Sequence, residues 1–376
     1  MSHFVTLVNL TLPTVEEDHS ANAENAQHIA EIKELLKKEP DSFMLRFALK
    51  RLNGMSSTFE REVSCEIEVL MEPFCESTDD PQYLEFEDKT QEINDDYVHG
   101  KIDCIRLPGG RIVPYFHNSI HGLFVIRDGK VYQAKAGPLK HEKRTKKAKK
   151  MLALQQYPIK KLYKNSTEYA EAYCGYDYYN EYNAYGYLHN PNSFWDWYSI
   201  GGRWPFQFLV KETAEHIVGE RSWGDDDATR EAPEGYIWVC GARKKDIAWD
   251  VMKALGIQNA KKTFALLTES FATGECPAGS FWRITEDGIY SFLDQLYVKG
   301  ETEEEYLRRN GLAPDQRMLP GAYSFLRDGE WISKGDMGWW GISTNEKEHE
   351  SWLKMMSDYI DSIPEDDVIV GIDCHI

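Results

Sequence analysis

The chain has 376 residues, 42% of them hydrophobic and 13% aromatic, with 62 acidic against 43 basic side chains and a formal net charge of -19. That length exceeds the usual single core, so two domains are expected, and the aromatic content is that of a folded chain. The charge opposes nonspecific binding to nucleic acid, no run of about 18 apolar residues offers a membrane span, and Met1 to Leu12 lacks a basic region and cleavage site, so a cytoplasmic protein is expected.

In chain order, a strand is expected over Phe4 to Leu10, helices over about 21–38 and 42–52, and a strand over Glu62 to Met71. Residues 72 to 96 carry ten carboxylates and one lysine, broken by Pro73 and Pro81. Like-charge blocks are usually solvated, so an acidic insertion over 72–98 is expected. A strand over Arg111 to Phe116 leads to a hairpin over Gly122 to Ala134, turning at Asp128-Gly129. Lys140, Lys143, Arg144, Lys146, Lys147, Lys149 and Lys150 then open a basic helix over 140–156. Tyr169 to Tyr187 holds eight tyrosines in nineteen positions and reads as a structured loop at the boundary between two domains, 1–165 and 166–376.

The second half repeats the style. A strand is expected over Tyr236 to Cys240, helices over Lys244 to Leu255 and Ala260 to Phe271, and a helix over Thr302 to Asn310 opened by a Thr302-x-x-Glu305 capping box. A hairpin pairs Ala322 to Arg327 with Trp331 to Ser333 across Asp328-Gly329. A helix over Glu346 to Ile360, capped by Ser343 or Thr344, precedes a final strand over Asp367 to Ile376. The fold class read from this order is α+β, with mixed or antiparallel sheets, packed helices and two ferredoxin-like layers.

Chemistry concentrates in Asn190-Pro-Asn-Ser-Phe-Trp-Asp-Trp-Tyr-Ser-Ile-Gly-Gly-Arg-Trp204. Gly201 and Gly202 permit close backbone approach, Arg203 offers a planar fork to a phosphate or carboxylate, and Trp197, Tyr198 and Trp204 can stack on a ring. Asp196 accepts from a ribose hydroxyl or orients Arg203. These seven form the candidate site for a nucleotide-like anion; the competing reading is aromatic packing under a Gly-Gly turn. On the last strand Asp373 and His375 share a face, with Cys374 on the other, so His375 is a candidate general base oriented by Asp373, or the two could ligate a metal. His117-x-x-x-His121 has helical ligand spacing but sits between strand-like flanks. The seven cysteines form no C-x-x-C pair, and no phosphate loop, nucleophile elbow or H-E-x-x-H site is present. The sequence names no cofactor.

The segment from Asn190-Pro to Trp195-Asp-Trp-Tyr-x-Ile-Gly-Gly-Arg-Trp204, with Gly335-Asp-Met-Gly-Trp-Trp-Gly341 and the ending Asp373-Cys-His-Ile376, resembles an uncharacterised family common in bacteriophages and prophages. The resemblance covers about Tyr169 to Ile376. It implies a bacterial host cell as the setting and carries no named activity. The function expected from all of this is capture of a nucleotide-like ligand or a host defence protein. Two alternatives stay open: a hydrolase or transferase acting on a phosphorylated substrate, and an acidic nucleic-acid mimic.

Overall fold

The computed structural model describes residues 2–40, 42, 44–46, 48–49, 58–134, 144–219, 230–291, 294–338 and 342–376. The chain forms an α+β fold in two compact units, one of residues 1–78 with 192–376 and the other of 79–191. This replaces the expected division at residue 165. The chain leaves the first unit at Thr78 and returns at Asn192, so the second is an insertion.

A six-stranded sheet organises the first unit. Its strands are β1 (His3–Leu10), β2 (Trp197–Ile200), β3 (Gly241–Arg243), β4 (Ser324–Arg327), β5 (Glu330–Ser333) and β6 (Val368–His375). The order is β2-β6-β1-β4-β5, with β3 sharing the outer edge of β6. Only β1 and β4 run parallel; β6 is antiparallel to β1 over eight register pairs, from His3 opposite His375 to Leu10 opposite Val368. The expected ferredoxin-like layers give way to this mixed sheet, which takes strands from both ends of the chain and is accompanied by smaller antiparallel sheets.

All eight residues of β6 are buried, because both faces of the sheet are covered. On one face Val368, Val370, Ile372 and Cys374 join Phe4 and Val8 of β1. They pack on Val63, Ile67 and Met71 of α2 (Thr58–Met71). On the other, Ile369, Val5 and Leu7 pack with Met252 of α3 (Trp249–Thr273) and with Trp352, Met356 and Tyr359 of α4 (His349–Ser362). No helix among the described residues is long and apolar enough to cross a membrane.

Several expected elements change type. Residues 62–71 belong to helix α2, not a strand: Val63, Ile67 and Met71 recur every four residues and are buried together, which is helical spacing. The expected helices at 244–255 and 260–271 are one, α3, which runs through Gly256. A side chain there would press on Leu312, its Cβ 3.1 Å from Leu312 Cδ2. Helix α4 is capped by Glu348, while Ser343 and Thr344 pair with Asp336–Met337 as a short ribbon. The first helix, α1, runs over Val15–Lys38, from a Thr14–Glu17 capping box. Of the helix expected over 42–52, residues 44–46 and 48–49 are helical, and 43, 47 and 50–52 lie outside the described residues.

In the inserted unit the acidic segment carries regular elements, a strand over Glu85–Asp88 and a helix over Thr90–His99. Residues 152–158 form a strand and not a helix, because they pair with Lys101–Arg106 and pairing outweighs their helix propensity. Lys140 and Lys143 lie outside the described residues. The tyrosine segment includes a hairpin, Asp177–Tyr179 with Ala184–His189. Its rings stack on one another, Phe86 on Tyr182 at 4.2 Å and Tyr176 on Tyr187 at 5.8 Å. Both Asp-Gly hairpins form as expected, with positive φ at Asp128, Gly129, Asp328 and Gly329 as tight hairpin turns require.

Candidate functional site

Where the apolar face of the sheet reaches the end of β6, its chemistry changes. Ile369 lies over the core, Gly371 follows, and then come Asp373 and His375. Register brings partners to them across three strands: Trp197 of β2 and His3 of β1 flank His375 on either side. Side chains opposite one another on one sheet face are within contact distance, and these are. The His3 and His375 rings meet edge to face at 4.8 Å, and Trp197 stacks on His375 at 4.9 Å.

Two carboxylates orient the imidazoles, and they are not paired as the sequence led us to expect. Asp373 accepts from Nδ1 of His3 at 2.9 Å, while His375 donates through Nδ1 to Asp196 at 2.6 Å. An ionised carboxylate only accepts, so each histidine donates through Nδ1 and keeps Nε2 for another partner. The side chains of His3, Asp373 and His375 are 5%, 1% and 6% exposed, whereas that of Asp196 is 36% exposed. The cluster therefore meets solvent on the Asp196 side.

The Gly-Gly turn closes over Asp373. Its second oxygen accepts from the backbone N–H of Arg203 at 2.9 Å. A Cβ on Gly202 would lie 2.4 Å from that oxygen, and φ there is +53°. Glycine is required at this position on both counts. Beyond the turn Arg203 lines a cavity of about 350 Å³. Trp204, Gln207, Arg230, Trp238 and Met252 also line it.

In this cavity Arg230 lies over the Trp238 ring at 3.6 Å and donates to the Phe206 carbonyl. Packing removes water from the Arg230 guanidinium and lowers its pKa, because burial disfavours the charged form. No carboxylate among the described residues pairs with Arg203 or Arg230. A larger recess, about 670 Å³, lies by Lys211, Arg243 and Lys245. Two of those cations are already engaged, Arg243 with two carbonyls and His216, and Lys245 with Asp366.

The sequence-derived residues thus divide three ways. Asp196, Trp197, Asp373 and His375 join the imidazole cluster. Gly201 and Gly202 form the turn, and Arg203 and Trp204 line the cavity. Tyr198 belongs to neither: it faces the opposite core, edge to face with Trp195 at 5.0 Å, where burial pushes its hydroxyl up to about 12. Sequence reasoning missed His3, Arg230 and Trp238. A histidine opening an otherwise apolar strand was the one signal for His3; nothing local marked the other two. His117 bonds Ser119, and among the described residues no group of three His, Cys, Asp or Glu side chains is arranged to hold a metal ion.

Comparison with family models, curated proteins and solved structures finds no match. The resemblance to phage and prophage proteins therefore rests on the quoted segments alone.

Proposed function

We propose that the protein binds a small anionic ligand that carries a flat ring, of the nucleotide class, in the cavity beside the Gly-Gly turn. The observation that carries this reading is the pairing of two arginines, without carboxylate partners among the described residues, with two indoles around one space. Guanidinium forks suit phosphate oxygens, and indoles suit a base. In a chain of net charge -19, two cations on one cavity also offset the repulsion an anion would meet there. In the phage-type setting that the quoted segments imply, such capture would withdraw a nucleotide signal or metabolite from the host cell.

Calorimetric titration with AMP, ADP, cyclic AMP and a cyclic dinucleotide tests the reading. One of them should bind at micromolar or lower Kd, and Arg203→Ala and Arg230→Ala should each weaken it at least about tenfold, the loss of one charge-assisted contact. Binding that neither arginine variant changes would place the ligand elsewhere. No binding across the set would remove the nucleotide reading.

A further inference from the structure

The imidazole cluster is not accounted for by ligand capture or by folding. Leu7, Val5 and Ile369 show what this face of the sheet carries where packing decides. At its end the chain instead sets two carboxylate–imidazole pairs, with all but Asp196 at most 6% exposed. Burying ionised groups costs several kcal/mol each before pairing offsets it, and apolar residues of similar size would avoid that cost. The arrangement is also highly ordered. Both oxygens of Asp373 are engaged, three strands set the rank of His3, His375 and Trp197, and a glycine is required to make room. Neither Nε2 has a hydrogen-bond partner among the described residues.

We propose that His3 and His375 are a general acid–base pair that hydrolyses phosphate esters, with Asp373 and Asp196 as their positioning residues. The choice of a phosphate ester rests on the cavity reading, because Arg203 belongs to both features: its amide holds Asp373 and its side chain lines the cavity.

The neutral imidazole takes a proton at Nε2 from water. The water oxygen forms a bond to phosphorus, and the phosphorus–oxygen bond to the leaving group breaks with its electron pair passing to that oxygen. The protonated imidazole gives its Nε2 proton to the leaving oxygen. Water is consumed, a phosphate and an alcohol are released, and exchange with solvent resets the two rings. Rings 4.8 Å apart can act on two oxygens of one phosphorus, and fixed Nδ1 bonds remove the need to reorganise them.

The test uses the whole chain with bis(p-nitrophenyl) phosphate, p-nitrophenyl phosphate, and whichever nucleotide binds. Wild-type protein should release p-nitrophenolate or phosphate. His375→Gln and His3→Gln should each lower kcat/KM about 100-fold or more. Both variants should keep nucleotide affinity and a wild-type circular dichroism spectrum. Asp196→Asn should lower kcat with KM unchanged. Added imidazole should restore turnover to His375→Gly, a response that a merely structural histidine would not give. Absence of turnover from wild-type protein on every ester, or full activity in both glutamine variants, overturns the proposal. If the nucleotide still binds in those cases, the cavity reading stands; if esters turn over without any nucleotide binding, the cavity reading is what fails.

Discussion

Gly202 is the residue on which the geometry of both features depends. It combines left-handed backbone with van der Waals contact to Asp373. Gly202→Ala should therefore lower stability by about 1–3 kcal/mol from backbone strain and displacement of the carboxylate. It should also weaken any ligand of Arg203, because the turn positions the backbone of that residue. A chemical denaturation midpoint equal to wild type would show that the turn relaxes without cost. On the opposite face burial pushes the Cys374 thiol up to about 12. In the unfolded chain the thiol ionises near 8.5 while in the fold it stays protonated. Its contribution to stability is thus complete below about pH 8.5 and is lost as pH rises toward 12, with about 3 kcal/mol gone by pH 10.5. The raised Tyr198 hydroxyl adds a loss of the same sign above its ordinary value near 10. Urea midpoints at pH 8 and 10.5 should fall further for wild type than for Cys374→Ala. Equal falls would assign the alkaline loss to other groups.

At the scale of elements, strands and turns with local signatures were legible, and elements decided by distant partners were not. The run from Val368 to His375 reads as a strand because Val368 to Ile372 carries no polar side chain, and both hairpins follow from Asp-Gly between apolar runs. The capping box at Thr302 placed the helix Glu303–Arg309 to within a residue. Residues 62–71 misled because two periods overlap there; Val63, Ile67 and Met71 satisfy the helical one, and only packing under β6 chooses between them. Residues 152–158 are helix formers locally and become a strand because Lys101–Arg106 lies alongside. The site divides by the same rule. Asp373 and His375 were visible as neighbours on one face, but their partners are set by register with β1 and β2, far away in sequence. No spacing in the sequence could have assigned Asp373 to His3.

At the scale of the molecule, the first unit needs both chain ends: β1 and β6 are its two central strands, and the Ile376 N–H and carbonyl both bond Ser2. What it does not need, on the geometry of the junction, is the insertion. The outgoing and returning chains run side by side: Phe194 N–H donates to the Phe74 carbonyl at 2.9 Å and Glu76 N–H to the Trp195 carbonyl at 2.8 Å. A few residues of Gly and Ser can therefore join Thr78 to Asn192 in place of 79–191, and a short closure costs little entropy. The inserted unit has apolar clusters of its own, around Ile105 and Val131 and around Ile159 and Tyr169. The shortened chain should unfold in one cooperative transition, bind the nucleotide with wild-type affinity and keep whatever ester hydrolysis the full chain shows. The isolated segment 79–191 should fold separately and do neither. If the shortened chain folds but loses binding, the inserted unit supplies part of the ligand site; if it fails to fold, the two units depend on each other despite their separate cores.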